Sequence, residues 1–179
     1  MPSRRLLAEI ASREAGQCFA GNSQKAGPAI EKYLSTLRNA LNANAETSKY
    51  SDPDVGFDWC GAFVYYCCLE AGFRFSPKPD PRYRYTLGAV PAWRNWATRG
   101  GFFHPSNSLK PEPGDIALYN RACSDQPLDH IGIVLQAAGG GILSAEGNFA
   151  NRTGIVLRNP SLIDGYVRLP ELLNFPTSL

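Results

Sequence analysis

The groups in this chain that combine into chemistry are a thiol, two imidazoles and a carboxylate. Cys60 lies near the head of the apolar run that begins at Trp59. A cysteine in the first turn of a helix has its thiolate stabilised by unpaired backbone N–H groups and by the positive end of the helix dipole. Such a thiol is a nucleophile. In the plain alternative Cys60 is one more small buried hydrophobe, as Cys67 and Cys68, about two turns further along the same helix, are taken to be. A nucleophilic thiol needs a base, and the chain has 2 histidines to offer, His104 and His130. His104 follows Gly100-Gly101-Phe102-Phe103 in loop-like sequence and is expected to be a surface or packing residue. His130 opens the segment His130-Ile131-Gly132-Ile133-Val134, where a period of two sets its ring on the face of Gly132 and Val134. Gly132 leaves space beside the ring. The chain turns back through Gly139-Gly140-Gly141 and returns as Ile142-Leu143-Ser144-Ala145-Glu146-Gly147-Asn148. A hairpin centred near residue 139 puts His130 opposite Asn148 and diagonal to Glu146, with all three on one face. A register off by one sends Glu146 to the other face. In the first register a base and the groups that orient it can touch, and with the thiol they make up the parts of nucleophilic acyl transfer at an amide.

Helices and strands must bring these groups together. Leu6, Leu7, Ile10 and Ala11 predict an amphipathic helix over 6–15. Ile30, Tyr33, Leu34, Leu37 and Leu41 predict a second over 28–41, with Pro28 in its first turn. A third, over 59–71, is apolar nearly all round and therefore central, stopped by Gly72 and N-capped by Asp58. Residues 77–113 carry prolines, glycines and aromatics, including Arg82-Tyr83-Arg84-Tyr85, and predict a surface excursion that shapes a cleft, with a short helix over 91–98. Beyond it five segments, 115–119, 130–136, 142–146, 154–157 and 166–169, alternate or are continuously apolar. Helices first and an antiparallel sheet after them is an α+β pattern.

Composition sets the limits. With 179 residues, and a prior of about 150 per domain, a single domain over 1–179 is expected. Hydrophobic residues at 44% and charged residues at 19% exclude a disordered chain and a coiled coil. The net charge of +2 carries no basic block, so nucleic acid is not an expected partner. The longest apolar stretch, 59–69, falls short of the roughly 20 residues that span a bilayer, and no stable membrane insertion is expected. Met1-Pro2-Ser3-Arg4-Arg5 leads into a segment broken by Glu9 and Ser12 rather than a signal-peptide core, so synthesis in the cytoplasm without Sec export is expected. The 5 cysteines, Cys18, Cys60, Cys67, Cys68 and Cys123, are odd in number and lack zinc-ligand spacing. Neither a disulfide scaffold nor a structural metal site fits, while a Cys18–Cys123 pair in an oxidising compartment stays open.

The motifs Asp58-Trp59-Cys60-Gly61-Ala62-Phe63-Val64, Pro113-Gly114-Asp115-Ile116-Ala117, Asp129-His130-Ile131-Gly132-Ile133-Val134 and Glu146-Gly147-Asn148 resemble, in order and spacing, those of CHAP-domain cysteine amidases and endopeptidases. Gly21-Asn22-Ser23-Gln24-Lys25-Ala26-Gly27-Pro28-Ala29-Ile30 with Tyr33 is similar to the N-terminal segment common in bacterial and phage CHAP-like proteins. The resemblance runs from about residue 8 to about residue 170. It implies a papain-like, NlpC-related fold in which N-terminal helices pack on a C-terminal antiparallel β-sheet. It implies Cys60 as nucleophile, His130 as general base, Glu146 as the group orienting the imidazole and Asn148 as an assisting polar residue, with Trp59 and Asp58 beside the nucleophile as substrate contacts. The implied substrate is peptidoglycan, cut between sugar and stem peptide or within the peptide and its cross-bridge. The implied actor is a phage or prophage lysin, or a delivered antibacterial effector with an immunity protein as partner, working at the wall after lysis or specialised secretion. Some family members bind calcium through acidic residues before the cysteine. Asp52, Asp54 and Asp58 do not reproduce that pattern, and no metal or other cofactor is expected. Two alternatives remain, a non-catalytic binding module on the same fold and a papain-like acyltransferase. Intact Cys60, His130, Glu146 and Asn148 speak against the first, and the lack of an apolar acceptor stripe speaks against the second. On this reading Glu146→Gln slows turnover and leaves the fold and Tm almost unchanged.

Overall fold

A computed structural model describes residues 2–171. Helix α1 (Arg4–Gly16) starts where the Ser3 hydroxyl accepts the N–H of Leu6, and its inward face buries Leu7, Ile10 and Ala11. Helix α2 (Glu31–Ala45) begins later than the sequence suggests. Ile30 and Glu31 both direct their N–H groups to the carbonyl of Gly27, so Pro28 sits in a turn ahead of the helix and Ile30 takes the cap position. Helix α3 (Cys60–Glu70) buries residues on every side, as its composition predicts. Its cap is Trp59 without a side-chain bond, not Asp58, whose carboxylate is turned outward to Lys25 and Asn148. Helix α4 (Val90–Gly100) carries Pro91 in its first turn, buries Trp93 and Trp96, and stops at the left-handed Gly101.

The strands are β1 (Phe103–Pro105), β2 (Ile116–Tyr119), β3 (His130–Ala138), β4 (Gly141–Phe149), β5 (Arg152–Arg158) and β6 (Ile163–Val167). They form one antiparallel sheet in the order β1-β6-β2-β3-β4-β5. Strand β1 replaces the loop expected around His104, which pairs with Tyr166 at the sheet edge. Ile131, Ile133, Ala145 and Val167 face the helices and join Leu7, Tyr33 and Phe63 in the main core. On the other face Tyr119, Val134, Ile142 and Tyr166 form a smaller cluster, closed by Leu109, Ala122 and Leu162. The fold is thus α+β, with the helices on one face of the sheet. Among the described residues no helix is long and apolar enough to cross a membrane.

Two details of the β3–β4 hairpin decide where the chemical groups stand. The turn has two residues, Gly139 and Gly140, both with positive φ, and next to it Ala138 pairs with Gly141 and Gln136 with Leu143. Carried on unbroken, that register would set Glu146 opposite Ile133, on the helix face. A bulge between Val134 and Gln136 shifts it by one, so Ile133 meets Ala145 and Glu146 comes to the face of His130. There Gly132 makes the room expected of it, because a Cβ at that position would stand 2.8 Å from Cγ of Glu146. Gly147 does the corresponding work towards α3. A Cβ there would stand 2.3 Å from Cβ of Phe63, so the missing side chain lets β4 lie directly on the first turn of the helix.

Candidate active site

One cavity of about 550 Å³ is lined by the buried Cys60 and His130, by the half-buried Asn148 and by the exposed Cys123, Lys25 and Asp58. Three elements converge on it. Cys60 is the first residue of α3 and 5% exposed, His130 opens β3 at 2%, and Glu146 in β4 is fully buried. Oε2 of Glu146 lies 2.8 Å from Nε2 of His130. An ionised carboxylate accepts the proton on Nε2, which leaves Nδ1 to work with the thiol. Burial disfavours the imidazolium of His130, but hydrogen bonding to Cys123, Cys60 and Glu146 outweighs it and raises the pKa. Burial would push the Glu146 carboxyl up, yet Arg158 and His130 hold it below its ordinary range, so the carboxylate is charged at neutral pH. Because a cap side chain is missing, the first-turn N–H groups of α3 are not taken by a side-chain acceptor. They are the donors available to an oxyanion formed beside Cys60.

The residues expected around this core divide. Asp58 lines the cavity, pairs with Lys25 and accepts the amide of Asn148 at 3.2 Å. Burial would raise its pKa, but Lys25 and Asn148 bring it below the usual carboxylate value. Asn148 is on the cavity wall but not on the ring: its side-chain amide donates to Asp58 instead. Its backbone is left-handed (φ 58), and the β4–β5 register shifts between Glu146 and Phe149, so strand alternation ends before it and swings the amide away. Trp59, expected as a substrate contact, does not line the cavity. It is fully buried, stacked on Tyr33 with ring centroids 5.7 Å apart, and its indole N–H donates to Oδ1 of Asn151 at 3.3 Å. The N-terminal segment is tied to the same place, since Nδ2 of Asn151 donates to the carbonyls of Gly21 and Asn22 at 2.9 and 2.8 Å. His104, on β1 with two strands between it and β3, does not line the cavity.

Sequence reasoning missed two neighbours. Arg158, at the end of β5, grips Glu146 through Nε at 2.8 Å and Nη2 at 2.6 Å. A lone charge closing the apolar run Gly154-Ile155-Val156-Leu157 was the available signal. Cys123 stands against His130 on the loop 120–129, where the Asp129 carboxylate accepts the N–H groups of Ala122, Cys123 and Ser124 at 2.9, 2.8 and 2.6 Å. That loop has no periodicity from which its return could be read. Cys18 and Cys123 are free, as are the other three cysteines. The acidic loop before Cys60 is organised from within: Nη1 of Arg38 donates to the carbonyls of Tyr50, Asp52 and Val55 at 3.0, 3.0 and 2.8 Å. Nη2 adds Pro53 at 3.2 Å. Among the described residues no group of three or more His, Cys, Asp and Glu side chains is placed to hold a metal ion.

A family model described as the CHAP domain matches residues 52–148, more than half of the 179 residues. The match takes in Cys60, His130, Glu146 and Asn148 and leaves Lys25 and Arg158 outside. No curated protein matches the chain.

Proposed function

Because the chain belongs to the CHAP-domain family, a family of peptidoglycan-related amidases, we propose that it is a cysteine hydrolase that cuts an amide bond of the bacterial cell wall. The observation that carries this reading is the convergence of Cys60, His130 and Glu146 on one cavity at the N-terminus of α3. In this reading Nδ1 of His130 takes the proton of Cys60 and the thiolate attacks the amide carbonyl, whose developing negative charge meets the N–H groups at the start of α3. The imidazolium, stabilised by Glu146, then gives its proton to the leaving amine. Water, deprotonated by the same imidazole, hydrolyses the thioester and frees the thiol. Glu146 holds the tautomer without itself exchanging a proton. Asp58 and Lys25 offer a carboxylate and an ammonium to the charged ends of a stem peptide. We place the action at the wall, as a lysin released at lysis or an effector carried there by specialised secretion.

The test is incubation of purified protein with sacculi. Soluble fragments should appear with the wild type and not with Cys60→Ala, and mass spectrometry of the new amine and carboxyl ends names the bond. Sacculi left intact by the wild type, or fragments released equally by Cys60→Ala, would overturn the reading.

A further inference from the structure

Glu146 can do its work only as a carboxylate, yet it has no exposed surface from which water could support the charge. Its second partner meets that need. Arg158, itself 7% exposed, presents a fork of Nε and Nη2 to the two oxygens of Glu146, and Oε2 is the oxygen that also meets His130. The guanidinium lies over the rings of Tyr119, at 5.4 Å, and Phe149, at 5.1 Å, which fixes its plane. Its remaining nitrogen, Nη1, donates to the carbonyl of Ala122 at 3.3 Å, in the loop that carries Cys123 along the cavity wall.

Resting on the Cys60–His130–Glu146 reading, we propose that Arg158 is a positioning residue of this site: it holds Glu146 ionised and aligned on His130 and fastens the 120–129 loop to the same carboxylate. An ion pair that served the fold alone would have no need to share an oxygen with the base. Register supports the assignment. Glu146 pairs with Gly154 and Ile142 with Arg158, so Arg158 starts two same-face positions away and its long side chain lies back along the sheet to reach the acid.

The groups that face this cluster are Cys60 from α3, Cys123 from the loop, and Tyr119 from β2 with Tyr166 of β6 behind it. Asp129, next to His130, is occupied by the loop amides. Protons in the site are shared among Cys60, His130 and Glu146, so taking a cation out from among them makes each proton bind more tightly. Thiolate chemistry then needs a higher pH.

The experiment uses the full chain with Arg158→Met, which loses charge and fork, and Arg158→Lys, which keeps charge and loses the fork. Three quantities are read: the pH dependence of Cys60 alkylation by iodoacetamide, followed by peptide mass spectrometry to separate it from Cys18 and Cys123; kcat and apparent KM on solubilised peptidoglycan; and thermal melting. Arg158→Met should move the acid limb of alkylation up by about one pH unit and lower kcat about tenfold or more with little change in KM. Arg158→Lys should return the limb to the wild-type position and recover part of kcat. A purely structural ion pair would lower the melting temperature and leave the limb in place, and that result overturns the proposal. If Arg158→Met does not fold, Arg158→Lys decides: lowered kcat with an unmoved limb supports the proposal, and unchanged kcat sinks it. Alkylation needs no peptidoglycan, so a limb that shifts in a protein inert towards sacculi defeats the hydrolase reading and leaves the role of Arg158 standing.

Discussion

Replacing Glu146 by glutamine exchanges one oxygen for an amide nitrogen and removes one charge in a place without solvent. Three N–H donors meet the two carboxylate oxygens there: Nε2 of His130 at 2.8 Å and Nε and Nη2 of Arg158 at 2.8 and 2.6 Å. Glutamine offers one oxygen, and its NH2 must face one of those donors. Arg158, 7% exposed, is left with a buried charge and no counter-charge on this face. Breaking a buried pair from one side costs about 3–5 kcal/mol, and at about 2–4 °C per kcal/mol for a chain of this size Tm should fall by roughly 10 °C. The expectation from sequence, that Glu146→Gln leaves Tm almost unchanged, is therefore revised, because that expectation lacked Arg158. Turnover should fall about a hundredfold or more, since the imidazole loses the acceptor that fixes its tautomer and the charge that stabilises its protonated form. Circular dichroism melting and fragment release from sacculi measure the two effects separately. Glu146→Gln combined with Arg158→Met removes both ends of the pair and should regain most of the lost Tm without regaining activity. A single variant that melts within about 2 °C of wild type would refute the buried-charge argument. One that turns over normally would refute the role given to Glu146.

The two histidines should separate cleanly: His130→Ala loses about a hundredfold or more of the activity, while His104→Ala, on the edge strand, stays within about threefold of wild type, and the opposite ranking in the sacculus assay would relocate the site. Because Arg38 already supplies the cation at the centre of the 50–55 loop, a chelator should leave both Tm and activity unchanged, whereas Arg38→Met should lower Tm by several degrees. A chelator that inactivates the protein would contradict this. Asp129 has a folded pKa below its ordinary value: burial opposes the charge, but the N–H groups of Ala122, Cys123 and Ser124 outweigh it. Its hold on the loop is thus complete above the unfolded carboxyl value of about 3.9 and lost as pH falls through the lower folded value. Hydrogen exchange at neutral pH should show the Cys123 and Ser124 amides about tenfold less protected in Asp129→Asn, and equal protection would mean that the loop is held by other bonds.

What this sequence determines alone is what local periodicity can carry. Apolar residues at helical spacing mark α1, α2 and α3, alternation marks the strands, and a cysteine at the head of an apolar helix is a nucleophile candidate before any contact is known, because each signal lies within one element. The face of His130 follows in the same way. Which groups meet that face does not. A two-residue turn at Gly139–Gly140 and a one-residue bulge before Gln136 jointly set the register, and either alone would put Glu146 on the opposite side of the sheet. A centre near residue 139 gives the right pairing at the site without showing the bulge that produces it. Trp59, Asp58 and Asn148 share a cause: each sits where an element begins or ends, so its direction is set by the nearest partner in space, Tyr33 and Asn151 for the first, Lys25 for the second, and Asp58 for the third. Arg158 and Cys123 reach the site from a strand end and an aperiodic loop. Only the closed sheet brings their charge and thiol to His130, because the burial that makes the Arg158–Glu146 pair matter comes into being when β4, β5 and the loop close over it.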